Sequence, residues 1–236
     1  MMKRLRLSLG YVSRSVRSGQ MIRSVNKDKR LLFCKAAIAK KETFRDVIFA
    51  DESMLQLENF SRRCYVKGGE EQRRIKAKPK HPVKVNVWAG ISWEGPTALA
   101  IIDGEVRVDS KLFCKIMQEY YVPFAISVYG GKCRLAQDND PKHRSRFTRK
   151  WLDENHIACM EWPPESPDIN PIENVWHQMK EYLRNEFKPN SKDELIKGIT
   201  KFWKERMTRI QCKKYIKNIF NVMPKVVQAQ GGHILE

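Results

Sequence analysis

The sequence predicts an α/β fold, with strands and helices mixed along the chain and a helical C-terminal tail. Two short apolar runs, residues 47–50 and 133–137, each lead into an aspartate, and such runs are typical of strands buried on both faces of a sheet. Residues 83–91 alternate between apolar and other side chains, which predicts a strand with period two. Three helical patterns after residue 170 complete the chain. Together these patterns indicate a layered α/β domain.

The first 46 residues are the most basic part of the chain. They hold thirteen Lys and Arg against three acids, so they carry +10 of the total net charge of +18. The stretch up to about Val25 lacks periodicity and is predicted to be an extended basic segment. Asn26 is expected to cap a helix that runs to about Lys41. An Arg- and Ser-rich, acid-poor start is also typical of mitochondrial transit peptides, but we favour a nucleic-acid-binding arm.

The middle of the chain alternates between strands and helices. The Lys-, Arg- and Gly-rich residues 62–82 predict a basic loop before the period-two strand. Residues 97–102 predict another strand, and Asp109 is expected to cap a helix that runs through Tyr120. A basic helix over about residues 144–155 and a strand over 157–162 follow.

The C-terminal tail is predicted to contain three helices, which cover roughly residues 171–187, 192–208 and 211–228. Ser191 and Glu194 form a capping-box pattern at the start of the second of these helices. A proline-rich loop over residues 163–170 leads into the first.

The charge balance points to a polyanion as partner. With 45 Lys and Arg against 27 Asp and Glu, nucleic acid is the first interpretation and an anionic membrane surface is the alternative. The longest uncharged stretch, residues 120–131, is too short to span a bilayer, which needs roughly 20 apolar residues. Since no basic amphipathic helix with an aromatic apolar face occurs in the N-terminal arm, a membrane partner is not expected. The six cysteines form no Cys-x-x-Cys pair and predict reduced core thiols in an intracellular protein.

Three acids stand out by their positions. Asp51 and Asp138 each follow a predicted buried strand, and Glu173 opens a predicted helix. Carboxylates are the ligands that Mg²⁺ prefers, and two such ions about 3.5–4 Å apart catalyse in-line displacement at a phosphodiester. There are structural alternatives, because Asp is common in turns and Asn170, Pro171 and Glu173 also fit a capping box.

The helix that begins near Glu173 has a basic face beside an apolar stripe. His177, Lys180 and Arg184 lie on that face, next to Glu173. Such a face suits a phosphate backbone, but it equally suits a surface helix with i,i+4 ion pairs.

Three sequence blocks around these acids resemble the signature blocks of Tc-one/mariner transposases. They are Phe49-Ala50-Asp51-Glu52-Ser53, Gln137-Asp138-Asn139-Asp140-Pro141-Lys142-His143, and Glu161-Trp162-Pro163-Pro164 continued by Ser166-Pro167-Asp168-Ile169-Asn170-Pro171-Ile172-Glu173-Asn174-Val175-Trp176. Asp138 and Glu173 are separated by 34 residues, and this spacing, with Glu as the last acid, resembles that of the Tc-one branch. The likeness covers nearly the whole chain and is strongest from about Val47 to Gly232.

The resemblance implies a fold, an activity and a site. It implies a ribonuclease-H-like mixed sheet flanked by helices over residues 47–236, with residues 1–46 left from a DNA-binding region. It implies a DDE transposase whose Asp51, Asp138 and Glu173 hold two Mg²⁺ or Mn²⁺ ions for DNA cleavage and strand transfer. Water is then the nucleophile for cleavage, and the freed 3′-hydroxyl is the nucleophile for strand transfer. DNA contact is expected for Lys142, His143, Arg144, His177, Lys180 and Arg184; for His143 a packing role is equally open.

The implied partners are the double-stranded DNA of the transposon's terminal inverted repeats and a TA target, bound by a homodimer in the nucleus. Family members normally carry paired helix-turn-helix modules before the catalytic domain, and we expect Met1 to lie near where those modules finish. Residues 62–82 correspond to the family's clamp-like loop. In that loop, Arg63-Cys64-Tyr65 stands where family members usually have a Tyr-Val-Trp motif.

Two other functions are weighed against an active transposase. One is an inactive or domesticated derivative that binds DNA without cutting it, which the absence of the helix-turn-helix modules favours and the intact triad disfavours. The other is an unrelated ribonuclease-H-like nuclease, which the long third block disfavours.

Overall fold

The computed structural model describes residues 21–57 and 82–234. The predicted basic arm up to residue 20 and nearly all of the predicted basic loop therefore lie outside the described residues.

Six strands and seven α-helices alternate along the described chain. The strands are β1 (Val47–Gln56), β2 (Lys84–Ser92), β3 (Gly95–Pro96), β4 (Ala100–Asp103), β5 (Arg134–Ala136) and β6 (Ala158–Cys159). The helices are α1 (Ser24–Ala39), α2 (Ser110–Ile116), α3 (Val122–Tyr129), α4 (Arg146–Glu154), α5 (Pro171–Tyr182), α6 (Lys192–Arg206) and α7 (Arg209–Gln228). Single π-helical turns, Met117–Tyr121 and Leu183–Phe187, join α2 to α3 and extend α5.

The strands form one mixed sheet in the order β3-β2-β1-β5-β6, with β4 also paired to β2. β1 runs antiparallel to β2 from Ile48 to Gln56, but it pairs in parallel with β5 only from Val47 to Phe49. β5 and β6 are parallel as well. The mixed α/β architecture predicted from the sequence is confirmed.

The two faces of the sheet are covered by different helices. Side chains alternate between the faces along a strand, so Val47 and Phe49 pack with α1, α5, α6 and α7. Ile48 and Ala50 pack on the other side with α2, α3 and α4. Residues that follow in β1 continue this alternation, which decides what each of its acids can contact.

Several predicted helix ends are confirmed by their hydrogen bonds. The Asp109 carboxylate accepts from Leu112 N at 2.8 Å, and the Ser191 hydroxyl accepts from Glu194 N at 3.2 Å. The Glu194 carboxylate in turn accepts from Asn190 N, which completes the N-terminal cap of α6. The prediction for Asn26 is wrong, because α1 begins two residues earlier and Asn26 lies buried within its first turn.

Other differences concern the extent of the elements. β1 continues five residues beyond Asp51, because β2 remains beside it after β5 has ended. The predicted strand over residues 157–162 is reduced to the exposed pair Ala158–Cys159. Helix α3 was not predicted; it contains an apolar stretch with Pro123 in its first turn, where proline is tolerated.

No helix within the described residues is long and apolar enough to cross a membrane. Five cysteines fall in the described residues, and each is a free thiol. Four of them are buried as expected, whereas Cys159 on β6 is exposed.

Candidate active site

β1 sends two adjacent acids to opposite faces of the sheet. Asp51 shares the face of Phe49, which packs against α5, and its Oδ2 accepts a hydrogen bond from Nε1 of Trp176 at 3.2 Å. Glu52 shares the opposite face with Ile48, and its carboxylate contacts Nζ of Lys142 at 2.7 Å and Nε2 of His143 at 3.4 Å. Asp51 therefore lies inside the strand, not at its end as the sequence suggested, but beyond the point where β5 stops.

Asp138 lies two residues after β5, in the turn that leads toward α4. Nδ1 of His143 contacts its Oδ1 at 2.8 Å, and the amide of Asp140 donates to the same oxygen at 3.1 Å. The His143 ring is 5% exposed and packs on Phe113 with ring centroids 4.3 Å apart. His143 thus has both a packing contact and a direct contact with a candidate site acid.

Glu173 lies in the first turn of α5, and the capping box that offered an alternative role for it is not formed. Asn170 is the N-cap residue, but its side chain makes no capping hydrogen bond. Its Oδ1 is buried without a partner among the described residues. Within this part of the chain, no hydrogen bond ties the Glu173 carboxylate back to Asn170.

The three acids line one cavity of about 300 Å³. The rest of the cavity is lined by the proline-rich loop of residues 162–167 and by Arg23, Asn139, Asp140 and Asn170. Because β1, the turn after β5 and the start of α5 converge here, the fold brings together all three acids that the sequence singled out.

The electrostatics of this cavity disfavour three free negative charges. Burial raises the pKa of Asp51 to about 8, and the charges of Glu173 and Asp138 add to the effect. Burial also raises the pKa of Glu173, with a further contribution from Asp138 that Lys180 partly opposes. Like charges held close together in a partly buried cleft are stabilised by a bound cation.

Asp138 is kept ionised by its neighbours. Although burial alone would raise its pKa, the hydrogen bonds from His143 and from the Asp140 amide and the nearby positive charges lower it. For His143, burial alone would lower the pKa, but the carboxylates of Asp138 and Glu52 outweigh burial and raise it to about 9. Imidazolium and carboxylate therefore stabilise each other at neutral pH.

The donor atoms around the cavity fit a hard divalent cation. Three carboxylates and the unpartnered Oδ1 of Asn170 supply only oxygen ligands, which Mg²⁺ and Mn²⁺ prefer. Within residues 21–57 and 82–234, however, no three His, Cys, Asp or Glu side chains are arranged to hold a metal ion. The carboxylates line an open cleft and do not form a closed ligand cage.

The six residues predicted to contact DNA lie in different environments. Lys142 forms ion pairs with Glu52 and Asp140 and its side chain is 14% exposed, and His143 is buried. Arg144, His177 and Lys180 are exposed, and Arg184 forms an ion pair with Glu181. DNA contact by these residues stays a prediction, and the engaged positions of Lys142 and His143 favour a role in holding Glu52 and Asp138.

The sequence reasoning assigned no role to several residues that hold the site. Trp176 and Glu52 contact the acids or their neighbours, and both stand inside the recognised blocks. Arg30 is fully buried and binds both carboxylate oxygens of Asp168, at 2.7 and 2.6 Å. It also donates to the backbone oxygens of Glu165 and Gly231, so it ties α1 to the proline-rich loop and to the end of α7. Asp168 within the third block was the only sequence signal for this contact.

A family model described as DDE superfamily endonuclease matches residues 46–196. This match covers more than half of the chain, and it includes all three acids and the elements that carry them.

Among individual proteins, the chain is similar to transposases of nematodes. It is 34% identical over 100 residues to the transposable element Tcb2 transposase of Caenorhabditis briggsae, which covers 42% of this chain and 36% of that protein. It is 31% identical over 107 residues to the Tc1 transposase of Caenorhabditis elegans, which covers 45% and 37%. The match thus spans little more than a third of the length of these relatives.

The fold is similar to that of solved Mos1 mariner transposase structures. The Mos1 paired-end complex with Mg superimposes with a TM-score of 0.85 at 15% identity, covering 99% of this chain and 71% of that one. The isolated Mos1 catalytic domain gives a TM-score of 0.73 at 13% identity, covering 93% of this chain and all of that one. The predicted ribonuclease-H-like fold is confirmed by this likeness.

Proposed function

Because this chain belongs to the DDE superfamily endonucleases, we propose that it is the catalytic domain of a cut-and-paste DNA transposase of the Tc-one/mariner type. The observation that carries the proposal is the convergence of Asp51, Asp138 and Glu173 on one cavity. The nematode relatives are transposases by name, and they support the proposal.

Asp51, Asp138 and Glu173 would hold two divalent ions, Mg²⁺ or Mn²⁺. When bound, such ions activate a nucleophilic oxygen and stabilise the leaving oxygen of a phosphodiester. The protein's own contribution is to position these carboxylates. Trp176 fixes one oxygen of Asp51, and His143 fixes one oxygen of Asp138 while Glu52 orients the other side of the imidazole. Structures of Mos1 in the presence of Mg and of Mn support the choice of metal.

The proposed substrates are double-stranded DNA: the terminal inverted repeats of a transposon and a TA target. The net charge of +18 and the exposed cations Arg144, His177 and Lys180 support DNA binding. One similar structure is a Mos1 transposase paired-end complex with the left transposon end. A homodimer on DNA and a location in the nucleus belong to the same proposal.

Removal of the metal tests this function. Supercoiled plasmid mixed with the chain should be nicked in Mg²⁺ or Mn²⁺ and left intact in EDTA, while a gel-shift assay shows that DNA binding survives EDTA. Nicking that continues in EDTA would rule out metal-dependent cleavage. Binding without any cleavage in either metal would favour a derivative that only holds DNA.

A further inference from the structure

Arg23 is the one cationic residue among the described residues that line the carboxylate cavity. The other charged residues of that lining are acids, namely Asp51, Asp138, Asp140, Glu165 and Glu173. The Arg23 side chain is 69% exposed, so its guanidinium lies at the rim of the cavity and faces solvent. A DNA strand that enters the cavity on this side passes this group.

Glu165 holds Arg23 by two hydrogen bonds. One carboxylate oxygen accepts from the Arg23 backbone amide at 2.8 Å, and the other accepts from Nε at 2.7 Å. Both contacts use the backbone amide and Nε and not the terminal nitrogens of the guanidinium. Among the described residues, its two terminal nitrogens donate no hydrogen bond.

The structure fixes Glu165 itself in place. Its side chain is 15% exposed, and its backbone oxygen accepts from Nη1 of the fully buried Arg30 at 2.9 Å. Its φ of 53° lies in the left-handed region, which costs energy for a residue other than glycine. Such a conformation persists only where the surroundings enforce it, and Arg30 with Asp168 provides that enforcement.

From this arrangement we infer that Arg23 binds a backbone phosphate of the DNA strand at the carboxylate cavity, and that Glu165 aims it. The inference rests on the proposed function, and it adds a phosphate-binding residue to the site. Two free N–H-bearing nitrogens in a planar fork match two phosphate oxygens. One cation at the rim of an acidic cavity also offsets the repulsion that a polyanion meets there.

A simpler interpretation of the Arg23–Glu165 ion pair predicts no effect on DNA affinity. Glu165 could merely neutralise Arg23, in which case the ion pair contributes nothing to DNA binding. The two interpretations differ in how the two residues depend on each other, so a double-mutant cycle separates them.

The probe is a fluorescent random-sequence duplex in EDTA, with affinity followed by anisotropy between about 50 and 200 mM salt. Arg23→Ala should weaken binding roughly tenfold at low salt and reduce the slope of log K against log salt by about one. Arg23→Lys should restore most of the slope but not all of the affinity, because lysine lacks the Nε contact with Glu165. Thermal melting checks that each variant is folded, and Arg209→Ala, an exposed arginine paired with Glu94 away from the cavity, controls for loss of one charge.

The cycle is completed by Glu165→Gln. If Glu165 aims Arg23, Arg23→Ala should lose less affinity in the Glu165→Gln background than in the wild type. An unchanged affinity on Arg23→Ala, or a larger loss in the Glu165→Gln background, would overturn the inference in favour of neutralisation. Because these measurements use EDTA, they do not depend on cleavage, so a chain that binds but never cuts would refute the proposed function and leave the Arg23 result interpretable.

Discussion

At the scale of single residues, the indole of Trp176 is the group that most directly shapes a candidate ligand. Its N–H donates to Oδ2 of Asp51 and so fixes the orientation of that carboxylate. Trp176 is 1% exposed and stacks on Trp203 with ring centroids 6.0 Å apart. The hydrogen bond therefore comes from a ring that cannot move without disturbing the core.

We predict that Trp176→Phe raises the Mg²⁺ concentration needed for cleavage, because Asp51 loses the partner that orients it. The smaller ring also leaves a void, so a stability loss of roughly 2 kcal/mol is expected. Tyr121→Leu is the control, since it also shrinks a buried ring that makes one side-chain hydrogen bond, to Cys133, but in the core on the other face of the sheet. It should melt similarly but keep the wild-type Mg²⁺ requirement. Equal Mg²⁺ requirements in both variants would show that Trp176 acts through packing alone.

The contacts of Trp176 also show what sequence reasoning could not supply. The three acids were visible because short apolar runs and a proline-rich loop marked their positions. Two of the contacts that hold the site join distant parts of the sequence: Trp176 is 125 residues from Asp51, and His143, although only five residues from Asp138, is 91 residues from Glu52. Only the packing of α5 and of the turn after β5 on β1 makes them neighbours.

At the scale of elements, Arg134 ties β5 to the segment that precedes β1. Its guanidinium binds Asp46 at 2.8 and 2.6 Å and Glu42 at 3.0 and 3.0 Å, while its amide donates to Asp46 O. These bonds lie at the start of the parallel β1–β5 pair, whose far end leads to Asp51 and Asp138. The cluster thus supports the strand pairing that brings the two aspartates together.

This cluster gives the stability of the protein a dependence on pH. Hydrogen bonds from Arg134 lower the pKa of both Glu42 and Asp46. A lowered folded-state pKa contributes stability above the unfolded value near about 4 and loses it as pH falls through the folded value. Arg134→Met should therefore melt below wild type at neutral pH, and the gap should narrow in acid below about pH 4. A gap that stays constant with pH would mean that Arg134 stabilises the fold by packing and not by charge.

The elements themselves were predicted unevenly, for physical reasons. Caps with a short-range hydrogen bond, such as Asp109 to Leu112, were found because the signal is local. The length of β1 was missed because its outer half carries Glu52, Ser53 and Gln56, which are acceptable in a strand that has left the cover of β5. Helix α3 was missed because its apolar residues show no polar face and Pro123 suggests a break.

At the scale of the whole molecule, the distribution of positive charge leads us to predict that phosphate contacts dominate DNA binding. The predicted contributors are residues 1–46, the basic loop of residues 62–82, and the region of Arg144, Arg146 and Arg149, of which the arm up to residue 20 and most of the loop lie outside the described residues. The division at residue 46 between a DNA-binding remnant and a catalytic domain stays a prediction, although α1 contributes Cys34 and Ala37 to the same core as α5 and α7.

We predict that affinity for duplex DNA falls steeply with salt and differs little between a transposon end and a random duplex. Each phosphate contact contributes about −0.9 to the slope of log K against log salt, and such contacts carry no sequence information. Anisotropy titrations of the two duplexes at several salt concentrations measure both quantities. A strong preference for one end sequence would mean that this chain reads bases directly.

We propose that Glu173 completes a carboxylate site for divalent cations. Glu165 is unsuitable as a control for it, because Glu165 lines the same cavity and holds Arg23. Glu205, an exposed glutamate on α6, is the better match.

Nicking of pre-bound DNA in Mg²⁺ by Glu173→Gln and by Glu205→Gln, measured beside thermal melting, tests this claim most directly. Glu173→Gln should abolish cleavage, because it removes a ligand charge. It should change stability by well under about 1 kcal/mol, since no cap is lost and one repulsive charge beside Asp51 disappears. DNA binding in EDTA should persist or tighten slightly, and Glu205→Gln should cut like the wild type. Full cleavage by Glu173→Gln would remove this residue from the site and contradict the three-carboxylate mechanism.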